Sequence, residues 1–316
     1  MSDSKKIGLM LITALVFSAL FIGIGLTANN YEYFLSRRVP KVLAMALAGI
    51  AVAQSSLVFQ TLTHNRILTP SIMGFDALYL LTQTLIVAIF GGFSAYVLNA
   101  YLNFAISVGA MVIFSVLLFG FYFAKEGRNL IVLLLVGLIL GQVFGNAASF
   151  ITMLMDPNEF AAVQANMFAS FNNVKVELVY LCLPVLAVIS FTLFRMHRTL
   201  DVFWLDRDNA ISLGIDVQRV TQRALMISAV LIAVSTALIG PVMFFGLLVT
   251  NLARELFNTF QHRVLLIGCA LLSVCTLLAG QWIVENLFSF DTTLSVVVNF
   301  AGGLYFLWML LKNKIV

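Results

Sequence analysis

The sequence predicts an all-α, polytopic membrane protein with about ten transmembrane helices, on three observations. Hydrophobic residues make up 61% of the 316 residues and charged residues only 10%, against roughly 25% charged in a soluble domain. Apolar runs of membrane length, about 20 residues, recur from end to end, and the mean hydropathy is +1.03. Lys and Arg gather at alternate ends of those runs, which explains the net charge of +4 better than an affinity for nucleic acid does.

The first run, 7–28, is followed by no small-residue cleavage site and by many further runs, so it reads as a retained helix rather than a signal peptide. Helices are expected next at 39–62, 72–91, 101–124, 130–154 and 176–196, then at 223–241, 243–257, 263–285 and 293–311. Pro40 suits the first turn of the second helix, where a missing N–H leaves no bond unmade. Gly91-Gly92 marks a tight connection after the third. Gly240-Pro241 separates the seventh from the eighth, because proline cannot continue a helix. The small residues Ala44, Ala48, Gly49 and Ala53 suit close helix packing. Cys182, Cys269 and Cys275 lie inside apolar runs, at spacings that fit neither a metal site nor a disulfide framework. No Ser-, Gly- or Pro-rich linker divides the chain, so residues 1–316 read as a single transmembrane domain.

With the N-terminus placed in the cytoplasm, fourteen of the eighteen Lys and Arg residues fall inside, from Lys5 and Lys6 through Lys125, Arg128, Arg195 and Arg223 to Lys312 and Lys314. This is the asymmetry that orients membrane proteins, and it puts both termini in the cytoplasm. The four exceptions are Arg37, Arg38, Lys41 and Lys175. Three of them cluster at the outer start of the second helix. They suit either snorkelling to lipid phosphates or anchoring the acidic surface of an external protein.

The segment 201–223 is polar between two apolar runs. It reads as two short helices around a tight turn. Asp206 or Asp208 can cap the first helix and Asp216 the second, and Gly214 can take the left-handed conformation that ends the first. Helices this short are unstable alone in water, so the patch reads as a docking surface for a soluble partner. Its candidate contacts are Asp208, Ser212, Leu213, Gly214, Ile215, Asp216 and Arg219. The chain has no G-x-x-x-x-G-K-[ST] phosphate loop, so any ATP that drives it is hydrolysed by another chain. This chain itself is expected to bind no cofactor and no metal.

Asp76 and Glu285 sit near helix ends, and no chain of carboxylates suggests a proton relay. Neutral polar side chains take their place. Gln142, Asn146 and Ser149 recur on one face of the fifth helix, and Ser295 and Asn299 lie one turn apart on the tenth. These faces suit either a pathway for a bulky ligand or interhelical hydrogen bonding.

Five segments, in order, resemble the permease family of binding-protein-dependent ABC importers for ferric siderophores, haem and vitamin B12, the type II importers. Arg38-Val39-Pro40-Lys41 is similar to R-x-P-R. Gln60, His64-Asn65-Arg66-Ile67-Leu68-Thr69-Pro70 and Gly74 are similar to Q-x3-R-N-P-L-A-x-P-x3-G. Ser212-Leu213-Gly214 matches the core of the cytoplasmic coupling helices. The run from Gly240 to Val249 is similar to G-x-I-x-F-V-G-L-x-x-P-H, and Arg254 and His262-Arg263 match the motif that follows. Gly302-Gly303-Leu304-Tyr305-Phe306 resembles G-x-P-x-F. The resemblance covers about 35–313. In this chain N-P becomes Asn65-Arg66 and P-H becomes Thr250-Asn251.

The resemblance implies a type II ABC importer permease fold in the bacterial cytoplasmic membrane. It implies a pair of permease subunits, two ATPase subunits that carry the ATP and Mg and dock on the coupling helices, and an external substrate-binding protein. The acidic patches of that binding protein would meet Arg37, Arg38 and Lys41. The fifth and tenth helices would line the route, and Asn65, Arg66 and Ile67 would form part of a cytoplasmic gate. A different chain as second permease would explain the departures. A ferric siderophore is the expected cargo, with haem and vitamin B12 as alternatives. An ion-coupled transporter and a membrane enzyme are the rival classes. The enzyme lacks a His, Cys and carboxylate cluster, since His64, His197 and His262 all fall at helix edges.

Overall fold

A chain this apolar has to satisfy its backbone N–H and C=O groups within its own helices, and among the described residues the computed structural model contains helices and no strand. It describes residues 2–311 except 28, 30, 93, 125–129, 173, 205, 206, 290 and 291. The first half comprises α1 (Asp3–Gly23), α2 (Tyr31–Thr63), a 3₁₀ turn (Pro70–Met73), α3 (Phe75–Phe90), α4 (Ala95–Leu98), α5 (Ala100–Phe123), α6 (Leu130–Met153) and α7 (Pro157–Met167). The second half comprises α8 (Val176–Arg195), α9 (His197–Phe203), α10 (Arg207–Ser212), α11 (Val217–Ile239), α12 (Phe245–Phe257), α13 (His262–Asn286) and α14 (Leu294–Leu311). Seven of these, α1, α2, α5, α6, α8, α11 and α13, are long and apolar enough to cross a membrane. The apolar helices α3 and α14 are shorter, and α12 has 13 residues.

The ten apolar segments expected from the sequence each fall on one of these helices, with two differences at their ends. Helix α2 begins at Tyr31, so Pro40 lies inside it rather than in its first turn. Eight residues precede Val39 with no Gly or Pro among them, and nothing stops the helix from extending back over Arg37 and Arg38. The second short helix expected after Gly214 is the first turn of α11, which runs unbroken from Val217 to Ile239 because no Gly or Pro interrupts it. Asp216 caps that long helix, its carboxylate accepting the Arg219 N–H at 3.0 Å.

Helices α2 and α11 form the centre. In α2, 78% of the most apolar window is buried, whereas in α6 only 11% is, so α6 presents most of its surface outward. Close approach around α2 depends on small residues. Ala44, Ala48 and Ala53 are fully buried, and Gly49 faces Ser273 and Leu277 of α13. Gly246 of α12 lies against Ser56. A Cβ there would sit 2.0 Å from Ser56 Oγ and 2.8 Å from Ser56 Cβ. The 3₁₀ turn rests on two glycines of α6 in the same way, Gly137 facing Met73 and Gly141 facing Gly74. Gly74 holds φ +87°, a conformation open to glycine at little cost. The three cysteines are free thiols, two of them packed in the core.

Gly246→Ala should therefore lower stability by about 1–3 kcal/mol, the usual cost of overpacking. Gly120→Ala, inside α5 with nothing within 4 Å of its added methyl, should instead raise stability slightly, by up to about 1 kcal/mol. Thermal unfolding of both variants in detergent checks this.

Candidate functional site

The polar stretch between α8 and α11 folds into a stapled turn. Gly214 adopts φ +80°. Its N–H donates to Ile211 O at 2.9 Å, and the Ile215 N–H donates to Ala210 O at 3.1 Å, the paired bonds of a Schellman C-cap. This geometry turns Ile211 and Leu213 outward, 52% and 63% exposed. Ser212 and Gly214 are exposed beside them, Ile215 is half-buried, and Asp216 and Arg219 pair at 2.9 Å on the flank. Two branched apolar side chains thus stand exposed on a turn fixed by its C-cap, the kind of feature that marks an interaction surface. Asp206 and the side chain of Asp208 lie outside the described residues, as do Lys125, Arg128, Lys312 and Lys314.

Two contacts that the sequence did not single out join this turn to the helical body. In the first, Asp201 of α9 accepts both the backbone N–H of His262 at 2.6 Å and its Nδ1–H at 2.8 Å. His262 Nε2 lies 2.7 Å from Thr61 Oγ1 of α2. The carboxylate fixes the imidazole's proton on Nδ1, and three helices meet on one ring. A hydroxyl, an imidazole and a carboxylate in line are also the parts of a nucleophilic relay, but Thr61 has no exposed surface and meets no substrate. The second contact is Trp204, between α9 and α10. The Arg254 guanidinium of α12 lies 4.9 Å from its ring centroid and that of Arg66 lies 5.9 Å away. Arg254 Nε and Nη2 are buried without hydrogen-bond partners, so the ring face is the principal contact that this guanidinium has.

Arg66 belongs to the candidate gate, and the gate is pinned to α12. The Arg66 carbonyl accepts from Gln60 Nε2 at 2.8 Å and from Asn251 Nδ2 at 3.0 Å. Gln60 Nε2 also donates to Thr250 Oγ1 at 2.8 Å, and Asn65 Oδ1 accepts the Ile67 N–H at 2.9 Å. The two departures from the family pattern, Asn65-Arg66 and Thr250-Asn251, therefore meet in space. An Asx turn replaces the rigidity of a proline, and the Asn251 amide latches the loop.

At the opposite end the positive cluster divides. Lys41 pairs with Glu285 at 2.7 Å and donates to Asn172 Oδ1 at 2.7 Å. Gln281 Nε2 bridges the same two acceptors at 2.9 and 3.0 Å. Arg38 stacks on Phe34 and donates to the carbonyls of Phe21, Ile22 and Ile24 at the end of α1, where a cation complements the helix dipole. Arg37 is exposed and lies over the Tyr33 ring at 5.4 Å. Of the pathway candidates, Gln142, Asn146 and Ser149 are exposed along one face of α6. On α14, Ser295 is buried against Thr293 Oγ1 at 3.1 Å. Asn299 is half-buried and accepts the Phe244 N–H at 3.4 Å. The exposed line of α14 is Val296, Phe300 and Leu304.

A bundle of membrane-length helices, one of them presenting a row of neutral polar side chains, with a stapled docking turn at one end, defines a polytopic membrane permease. The chain belongs to the FecCD transport family, whose model matches residues 6–312. It is 46% identical over 314 residues to the petrobactin import system permease protein YclO of Bacillus subtilis (strain 168), with 99% of each chain covered. It is 31% identical over 278 residues to the petrobactin import system permease protein FatC of Bacillus anthracis, covering 88% of this chain and 78% of that one. Its fold is similar to the inward-facing structure of a metal-chelate type ABC transporter, with a TM-score of 0.86, 22% identity, and 98% and 100% of the two chains covered.

His262→Ala should cost about 2 kcal/mol, since it empties a buried site and removes the ring's bonds to Asp201 and Thr61, and should loosen α9 from α2. Unfolding in detergent checks the first effect and proteolysis of the 197–216 segment the second. An unchanged midpoint with an uncut segment would contradict this role.

Proposed function

We propose that the chain is the translocation subunit of an ATP-driven importer that carries a ferric siderophore across the bacterial cytoplasmic membrane. The observation that carries this reading is the stapled turn with its exposed Ile211 and Leu213, set in a chain of the FecCD transport family. The petrobactin import permeases among its relatives support the cargo class. In this reading ten helices span the membrane, both termini lie in the cytoplasm, and the stapled turn faces the cytoplasm. Two ATPase subunits, which hold the ATP and Mg, dock there through Ser212, Leu213, Gly214, Ile215 and Arg219. An external binding protein delivers cargo to the opposite end, where Arg37 offers an exposed cation while Lys41 is occupied by Glu285.

A second permease, a different chain, packs against the sparsely covered α6 and α14. That arrangement gives the exposed Gln142, Asn146 and Ser149 a polar or water-filled surround in place of lipid, in which unpaired amides are costly. The docking turn acts on the gate through Trp204. Movement of α10 shifts the ring on which Arg66 and Arg254 rest, and the Arg66 carbonyl must leave Asn251 for the 64–69 loop to open. The ion-coupled alternative gives no role to the stapled turn.

Proteoliposomes holding this chain with its neighbouring permease, ATPase and binding protein should take up a radiolabelled ferric siderophore. Uptake should need ATP and every component, and haem and vitamin B12 should compete weakly. Uptake without the ATPase, driven by an ion gradient, would contradict the reading.

A further inference from the structure

One carboxylate in the helical body has no partner to neutralise it. Asp76 stands in the first turn of α3 and is 3% exposed. Ser71 of the 3₁₀ turn and Thr236 of α11 lie beside it, and Oδ2 is buried with no hydrogen-bond partner. Among the described residues it joins no ion pair. Its position at the start of α3 offers the anion only a partial positive charge. A buried anion left without a cation is costly, and nothing in the docking turn, the gate latch or the outer cluster uses it.

Asp76 also lines a cavity of about 310 Å³. The other walls include Thr69 and Ser71 beside the 3₁₀ turn, Met243 and Phe244 at the start of α12, and Phe306 of α14. Met243 and Phe244 stay 47% and 37% exposed, so the cavity lies at an open flank. The turn on one side rests on Gly137 and Gly141 of α6 and the wall on the other belongs to α14, so the cavity lies between the two helices proposed to line the route. A carboxylate at the cavity wall with no cation beside it and two phenyl side chains favour one ligand class in common, a cation. A resident divalent ion lacks ligands, because no group of three His, Cys, Asp or Glu occurs among the described residues. The cavity has room for an arm of a molecule rather than a bulky chelate.

We propose that Asp76, with Phe244 and Phe306, is a specificity site that receives a protonated amine carried on the cargo. This rests on the import reading above and narrows it to ferric siderophores that bear an ammonium group. The site holds the arm while the chelate passes along α6 and α14, and a siderophore without that charge leaves the Asp76 anion uncompensated.

The test uses the assembled complex in proteoliposomes and one ferric siderophore that it carries, offered with its amines free and after N-acetylation. Each variant is compared with the wild type on both forms, so any preference of the binding protein cancels. Asp76→Asn should lower uptake of the free-amine form about tenfold, the loss expected of a charge-assisted contact, and leave the acetylated form unchanged. Phe306→Leu, which keeps the carboxylate, should give a smaller loss in the same direction. Equal losses on both forms would reduce Asp76 to a packing role and overturn the proposal, as would unchanged uptake of both. A Na⁺ requirement of the wild type that Asp76→Asn abolishes would assign the site to a bound ion and overturn it as well. A wild-type complex that carries neither form would instead remove the import reading, and this inference with it.

Discussion

The contact on which the rest of the account turns is the indole of Trp204 with the guanidiniums of Arg66 and Arg254 at 5.9 and 4.9 Å. Two like charges rest on one aromatic ring, and two nitrogens of Arg254 have no hydrogen-bond partner. Such an arrangement holds only while the ring stays in place, since the ring quadrupole is what attracts both cations. Trp204 lies between α9 and α10, so one side chain touches both the segment that carries the stapled turn and the 64–69 loop. The Asp201–His262 pair beside it fixes α9 to α13 at 2.8 Å.

The packing of the centre explains why the movement proposed for the docking turn and gate would be confined to the edge. Helices α2, α11, α12 and α13 approach through Ala44, Ala48, Gly49 and Gly246, where even a methyl group has no room at Gly246. Interiors packed at that density shift as bodies rather than deform. By contrast, the 64–69 loop is held to α2 and α12 by polar bonds to the Arg66 carbonyl, and the turn at Gly214 by its C-cap. At the far end Lys41, Glu285, Gln281 and Asn172 lock α2 to α13 and to the loop before α8, which leaves Arg37 as the exposed charge of the cluster.

Much of this was legible in the sequence because single residues force it. Gly214 and Asp216 announce a turn and a cap, and both act as such. Gly240-Pro241 ends a helix where it stands. The apolar periodicity located every long helix, although it began α2 at 39 instead of 31, because Pro40 was read as a start signal and the helix tolerates it inside. What the sequence does not carry is which distant residues meet. Asn65-Arg66 and Thr250-Asn251 read as separate departures, and only the fold shows that they bond to one another. Lys41 reads as a free outer cation until α13 brings Glu285 to 2.7 Å. Ser295 and Asn299 lie one turn apart, but packing against α12 and the Thr293 hydroxyl decides which way that face turns. Asp76 reads as a carboxylate near a helix end, and nothing local reports that the fold buries its Oδ2 without a partner.

The measurement that bears most directly on the link between docking turn and gate is the number of ATP molecules hydrolysed per siderophore imported by the Trp204→Ala complex. If the indole transmits the motion, ATPase docking and hydrolysis persist while import falls, and the ratio rises about tenfold or more. A ratio equal to that of the wild type, with import intact, would show that the turn and the gate communicate by another route.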